Sequence, residues 1–280
     1  MAFPSTMSDP LVRRIAPARG WLPIHLDEMW AARELLYFLV WREVKVRYKQ
    51  TAFGIGWAIA QPFCTMVVIS IVFGRLGRLP SDGLPYPVFA YAALLPWQLF
   101  AFALTESSQS VVANQRLISK VYFPRLIVPI ASVGVGVIDF LVSFVVLLGL
   151  MAYYGLTPGL AVLTVPFWML LAVLTALGAG LWLAALNVRY RDIRYTLPLL
   201  TQLWLFATPV AYSMSLVPSE WQVWYALNPM VGVVESFRWA LLGGRAFPAT
   251  VWVSTAATVI ALVGGLFYFR RTERTFADII

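Results

Sequence analysis

The residues able to do chemistry are few, and their types point away from bond-making. The chain has one histidine, His25, in a proline-flanked segment, and one cysteine, Cys64, inside an apolar run. A zinc site or a histidine-based triad therefore lacks its usual ligands and bases, and no catalytic or metal-ligating residue is expected. No Gly-Lys dipeptide occurs, so there is no Walker A cradle and no nucleotide or magnesium is expected on this chain. Asp139 is the one acidic residue deep in a long apolar segment, where an ionisable group is expensive. It either serves transport directly or pairs with a polar neighbour to hold two helices together. Glu106 lies at the edge of another such segment, where it is expected to be solvated. Four cations, Arg42, Lys45, Arg47 and Lys49, stand within eight residues and offer charge-assisted hydrogen bonds to phosphate or pyrophosphate.

The element that carries these cations is the stretch WREVKVRYKQTAFGIGWAIAQP, from Trp41 to Pro62. On helical spacing Tyr37, Trp41, Val44 and Tyr48 share one face, with Arg42, Lys45 and Lys49 on one flank and Arg47 on the other. This predicts an amphipathic helix lying on a membrane surface, its aromatics in the lipid boundary and its cations reaching headgroups. Gly54 and Gly56 then allow a sharp turn into the first span. The organisation expected is a cytoplasmic N-terminal extension (1–27), an interface helix and turn (28–53) and a transmembrane domain (54–280). Asp27 is the expected N-cap of the interface helix.

Composition supports that division. Of 280 residues 60% are hydrophobic and 12% charged, and the mean hydropathy is +0.76. An ordinary soluble domain is excluded, and a multi-span all-α membrane protein is expected. The net charge of +8 does not imply nucleic acid, because 17 of the 21 Lys and Arg fall in four clusters at the ends of apolar spans, where they set orientation.

Six spans are expected: Ile55 to Gly74, Val88 to Leu104, Leu126 to Tyr153, Leu163 to Leu186, Thr196 to Met214 and Thr250 to Phe269. Each is long enough, or nearly so, for a hydrocarbon core of about 30 Å. Pro62, Pro96, Pro198 and Pro209 interrupt three of them. Cys64 is expected to be a small buried apolar residue. Residues 215–248 are too apolar for a free loop and too interrupted for a span, which predicts two short helices dipping into the outer leaflet and packed on protein. An even number of spans places both termini in the cytoplasm.

Two basic cytoplasmic segments, Asn114 to Arg125 and Asn187 to Tyr195, are candidate docking surfaces for an ATPase; each would also serve as a plain topology signal. Aromatic residues make up 15% of the chain. Sugar rings stack apolar C–H faces on such side chains, so Tyr91, Trp97 and Phe100 are candidate linings of a glycan conduit, with interfacial anchoring as the bland alternative.

The runs RELLYFLVWREVKVRYKQTAFGIGWAIAQP, LLPWQLF, NQRLISKVYFPRLIVPIA, NVRYRDIRY, LFATPVAY and LNPMVGVVESFRWALLGG resemble the membrane permease subunit of type-2 ABC exporters of polysaccharide, a group that moves O-antigen, capsule or teichoic acid chains. The resemblance covers about residues 33 to 270. It implies a homodimer of six-span subunits in the bacterial inner membrane, each docked on a separate ATP-binding cassette subunit that uses ATP and Mg. It also implies a coupling helix matching Gln115 to Arg125, within which Gln115, Arg116, Lys120 and Arg125 join Arg189 and Arg191 as coupling residues, and an outer re-entrant pair matching Val217 to Gly244. The substrate implied is a glycan on a polyprenyl pyrophosphate, whose headgroup would meet Arg42, Lys45, Arg47 and Lys49 at the channel entrance.

Two readings from other classes compete. An intramembrane protease or sugar transferase needs a nucleophile with a base, or clustered carboxylates, and the spans offer neither. An ion-driven secondary transporter normally carries several midplane ionisable groups, and only Asp139 is present. Within the resembled group, an exporter of teichoic acid, of capsule, or of a small lipid or drug is the nearer alternative.

Overall fold

The computed structural model describes residues 26–49, 53–243 and 247–276, and among these every regular element is helical. α1 (Leu26–Ala31) and α2 (Arg33–Lys49) precede α3 (Gly56–Ile69), which continues as a wider π-helical stretch, Ser70–Leu76. α4 (Tyr86–Ala113), the short α5 (Gln115–Lys120) and α6 (Ile127–Tyr153) follow, then a 3-10 turn, Leu160–Thr164, leading into α7 (Val165–Arg189). α8 (Ile193–Phe206), α9 (Ser219–Tyr225), α10 (Pro229–Leu242) and α11 (Val251–Thr272) complete the order. His25 and most of the expected extension lie outside the described residues.

Among the described residues, five helical segments are long and apolar enough to cross a membrane: Gly56–Leu76, Tyr86–Ala113, Ile127–Tyr153, Leu160–Arg189 and Val251–Thr275. The expected fifth span, Thr196 to Met214, is not one continuous helix. α8 has 14 residues, about 21 Å at a rise of about 1.5 Å per residue. Its helix stops at Phe206, and residues 207–213 run on without regular structure.

α4 is the hub, packed against α3, α6, α7, α8 and α10. Residues Val88 to Leu95 are all buried, as are Phe100, Ala103 and Leu104. The expected span from Val88 to Leu104 is too short: α4 runs on through the polar ESSQSVVA to Ala113. α7 covers that polar run. A Cβ on Gly180 would fall 2.0 Å from Ser107 Oγ, and Asn187 Nδ2 donates to the Ser108 carbonyl at 3.1 Å. Close backbone approach also sets α7 against α11, where a Cβ on Gly265 would lie 2.4 Å from the Gly178 carbonyl oxygen. Small residues at such crossings are how membrane helices gain contact without a hydrophobic driving force.

Each end of the bundle is fixed by contacts. At one end Val111, Ile118, Phe123, Leu126, Val188 and Phe276 form a buried cluster with Met29 and Leu35 packed on it. This joins α1, α2, α5 and the ends of α4, α7 and α11. At the other end the turn between α3 and α4 meets the stretch after α8: Ser215 Oγ donates to Asp82 at 3.1 Å, and the Tyr86 hydroxyl donates to the Ala211 carbonyl.

Candidate functional site

α2 does not present one apolar face to lipid. Leu35, Leu36, Leu39 and Val40 turn toward α6, with Leu39 buried against Ile127 and Ala131. Val40 comes so close that a Cβ on Gly134 would lie 2.6 Å from its Cγ1. Tyr37, Phe38 and Trp41 remain exposed on the other side. The helix is therefore apolar on two sides, one for protein and one for its surroundings. Helical spacing alone assigned only the second. The turn that follows does use Gly54, at φ +49°. The helix is also divided at Ala32, and Asp27 falls inside α1 and not at a helix start.

Polar contacts fasten α2 at two levels. Arg42 Nη2 donates to Asn114 Oδ1 at 2.6 Å, at the end of α4, and to Glu43 at 2.5 Å. Higher on α6, Arg47 Nη2 meets Asp139 Oδ2 at 2.7 Å, and the Tyr48 hydroxyl donates to Asp139 Oδ1. Burial, and next the Asp139 hydrogen bond, push the Tyr48 phenol well above its usual pKa, so it stays a donor. Arg47 also lies over the Phe102 ring, 4.7 Å from its centroid. Gly136 makes room for that ring: a Cβ there would be 2.5 Å from Phe102 Cδ1. Of the four cations, Arg42 and Arg47 are thus engaged within the chain. Lys45 lies 5.1 Å above the Trp41 ring, and Lys49 is exposed.

Beside the Arg47–Asp139 pair opens a cleft of about 260 Å³ between α2, α3, α4 and α6. Asp139 shares it with Thr105 and Glu106, the level at which α4 turns polar. Counting residues along α6 put Asp139 deep in a span. Asp139 does stand midway along the candidate span Ile127–Tyr153, and α2 covers the turns of α6 before it. Pro62 shapes another wall. It has no N–H to offer the Ala58 carbonyl one turn back, and Ser143 Oγ supplies the missing donor across the helix gap at 2.6 Å.

The candidate conduit residues are elsewhere. Tyr91 and Phe100 are fully buried and Trp97 is 4% exposed, with Phe100 packed edge-on to Trp204 at 5.0 Å. With no open face, these rings pack the subunit interior and line no passage through it. Their aromatic character reflects helix–helix packing around Pro96. Cys64, expected to be buried, is exposed on α3. Glu106 is exposed as expected, though within α4 and not at its end.

At the clustered end, Gln115, Arg116 and Lys120 on α5 are exposed, as are Arg189 at the end of α7 and Arg191 just after it, while Ile118 anchors α5 in the core. Arg125 is different. Its Nη1 donates to the Glu273 carbonyl, so it ties the start of α6 to the end of α11.

One site that sequence reading missed is Arg238, on α10. It is 6% exposed and lies over Phe89 at 3.6 Å. It donates to the carbonyls of Pro209 and Val210 at 2.7 Å each and to Glu235 at 3.1 Å. These are carbonyls that the break after α8 leaves without helical partners, so one guanidinium satisfies the irregular backbone. A lone arginine in an apolar segment was the available signal.

The sequence matches the ABC-2 type transporter family over residues 34–242. The chain belongs to that family. The match to the ABC-2 family opens on α2 and closes with α10, so it takes in both the fastening of α2 and the Arg238 network. The chain is 31% identical over 260 residues to the O-antigen export system permease protein RfbA of Myxococcus xanthus, covering 90% of this chain and 98% of that protein. It is 28% identical over 248 residues to an RfbA of Klebsiella pneumoniae, with coverage of 88% and 95%. To the polysialic acid transport protein KpsM of Escherichia coli it is 24% identical over 241 residues, with coverage of 83% and 91%.

Proposed function

We propose that this ABC-2 protein is the membrane permease subunit of an ATP-driven polysaccharide exporter. The observation that carries this reading is similarity to O-antigen export permeases along nearly the whole chain. The substrate is a lipid-linked glycan, of which O-antigen on a polyprenyl pyrophosphate fits best. The lower identity to KpsM makes capsule the second choice, ahead of teichoic acid or a small lipid or drug.

Two permeases form a homodimer in the bacterial inner membrane and dock on two ATP-binding cassette subunits, which supply ATP and Mg chemistry that this chain lacks. α5 is the coupling helix. Its exposed Gln115, Arg116 and Lys120 meet the ATPase together with Arg189 and Arg191, while Arg125 passes the displacement to α11. Lys45 and Lys49, with Arg42, meet the pyrophosphate, and Arg47 joins them only when it leaves Asp139. The chain crosses the membrane six times, α8 and the stretch behind it making the fifth crossing. α9 and α10 form the outer re-entrant pair, and both termini are cytoplasmic.

Purification from the native membrane in mild detergent, with mass spectrometry of associated proteins, tests the reading. Stoichiometric recovery of an ATP-binding cassette subunit is expected. Repeated recovery without one would refute it.

A further inference from the structure

The cleft beside Arg47 contains hydrogen-bonding groups that the fold does not use. Ser143 is spent on the Ala58 carbonyl and Thr105 on the Ala101 carbonyl, and Asp139 is taken by Arg47 and Tyr48. The amides of Gln61 and Gln98 and the carboxylate of Glu106 hold no hydrogen bond among the described residues. Gln61 and Glu106 are exposed at the mouth, and Gln98 is half-buried behind them. Trp57, 55% exposed, supplies a broad apolar face on the same rim.

The chemistry of these groups narrows the ligand. Glu106 adds a negative charge to a pair that already cancels, so the cleft repels phosphate, sulfate and acidic sugars. A purely apolar occupant would leave two amides and a carboxylate without partners, at a cost for each. An uncharged polyol satisfies all of them: its hydroxyls donate to Glu106 and exchange hydrogen bonds with both amides, while its C–H face lies on Trp57. A volume of about 260 Å³ lies just below the roughly 300–1,000 Å³ of ordinary small-molecule sites, a size for one ring-sized unit.

We propose that the cleft between α3, α4 and α6 is a subsite for a neutral sugar unit of the transported chain, with Gln61, Gln98 and Glu106 as its hydrogen-bonding groups and Trp57 as its stacking face. This rests on the polysaccharide-permease reading and replaces Tyr91, Trp97 and Phe100 as the place where glycan meets protein.

The test uses the full permease–ATPase complex in cells, in a Cys64→Ala background carrying Ala101→Cys, a cleft-lining position that is not one of the hydrogen-bonding groups. A small water-soluble maleimide is applied to cells making the polymer and to cells in which polymer synthesis is stopped. Labelling at position 101 is expected to slow several-fold when polymer is made, while a Leu160→Cys control, in a residue 88% exposed that does not line the cleft, labels equally in both. Equal labelling at 101 in the two states, or an equal slowing at 160, overturns the subsite while leaving the permease reading intact. Loss of the permease reading shows separately, as polymer reaching the surface of cells that lack this chain. Should Ala101→Cys fail to insert, Thr105→Cys, also on the cleft wall, takes its place with the same outcomes. Gln61→Leu combined with Gln98→Leu, present at normal membrane levels, is expected to lower export several-fold; unchanged export overturns the proposal.

Discussion

Arg47 of α2 and Asp139 of α6 meet at 2.7 Å, and that pair helps fasten α2 to the long-helix bundle. The Asp139 side chain is 18% exposed and that of Arg47 38%, so the pair is shielded from water on one side only. Asp139 was legible from sequence as an acid that needs a partner. Its partner lies 92 residues away, beyond anything that spacing reports.

Asp139→Asn should loosen α2 without unfolding the bundle. The charge-assisted bonds from Arg47 and Tyr48 weaken together, and a double-mutant cycle with Arg47→Gln should return a coupling of about 1 kcal/mol, as expected for a half-exposed pair. Hydrogen exchange across Arg33–Lys49 is the readout, with faster exchange in Asp139→Asn and little further change in the double variant.

Removing Arg238 should cost more, because its acceptors are buried. Arg238→Met takes the guanidinium away from the buried carbonyls of Pro209 and Val210 and from the Glu235 carboxylate, a loss of about 3–5 kcal/mol for one partner of a buried charged pair. Arg238→Lys keeps the charge but not the fork, and should fall between Met and wild type. Thermal unfolding in detergent orders the three.

Glycine substitutions separate packed from open positions. Gly265→Ala drives a methyl group into the Gly178 carbonyl, where backbone cannot yield, and should cost about 1–3 kcal/mol. Gly149→Ala meets nothing within 4 Å and should be neutral or gain up to about 1 kcal/mol of helix propensity. The same melting experiment compares them.

Phe100→Ala tests the relocation of the aromatic residues. A ring buried among Trp97 and Trp204 should cost about 3–5 kcal/mol when truncated, seen as a lower melting temperature. Loss of glycan transport at wild-type stability would argue for a lining role instead.

Charge reversal at Lys120 should lower ATPase stimulation by the permease and leave insertion unchanged, since its side chain is exposed and holds no hydrogen bond or ion pair among the described residues. Arg125→Gln should behave differently, with the end of α11 losing its tie to α6 and stability falling along with coupling.

Much of the helical order was readable because long apolar runs and basic span ends have one solution in a bilayer. α5 and α10 coincide with quoted motifs. Three things were not readable. The polar run after Leu104 looks like a loop until Gly180 and Asn187 of α7 cover it. Apolar spacing on α2 cannot tell a face packed on Gly134 from a face in lipid. The aromatics of α4 look like a conduit because nothing local records that α6, α7, α8 and α10 surround them.

The most direct test of the central claim is the location of polysaccharide in a strain from which this chain alone is deleted. Fractionation should find the polymer made but retained inside, still lipid-linked, with surface polymer restored by wild type and not by a Lys120→Glu variant that inserts normally. Surface polysaccharide at wild-type levels in the deletion strain, with no internal accumulation, would contradict the account.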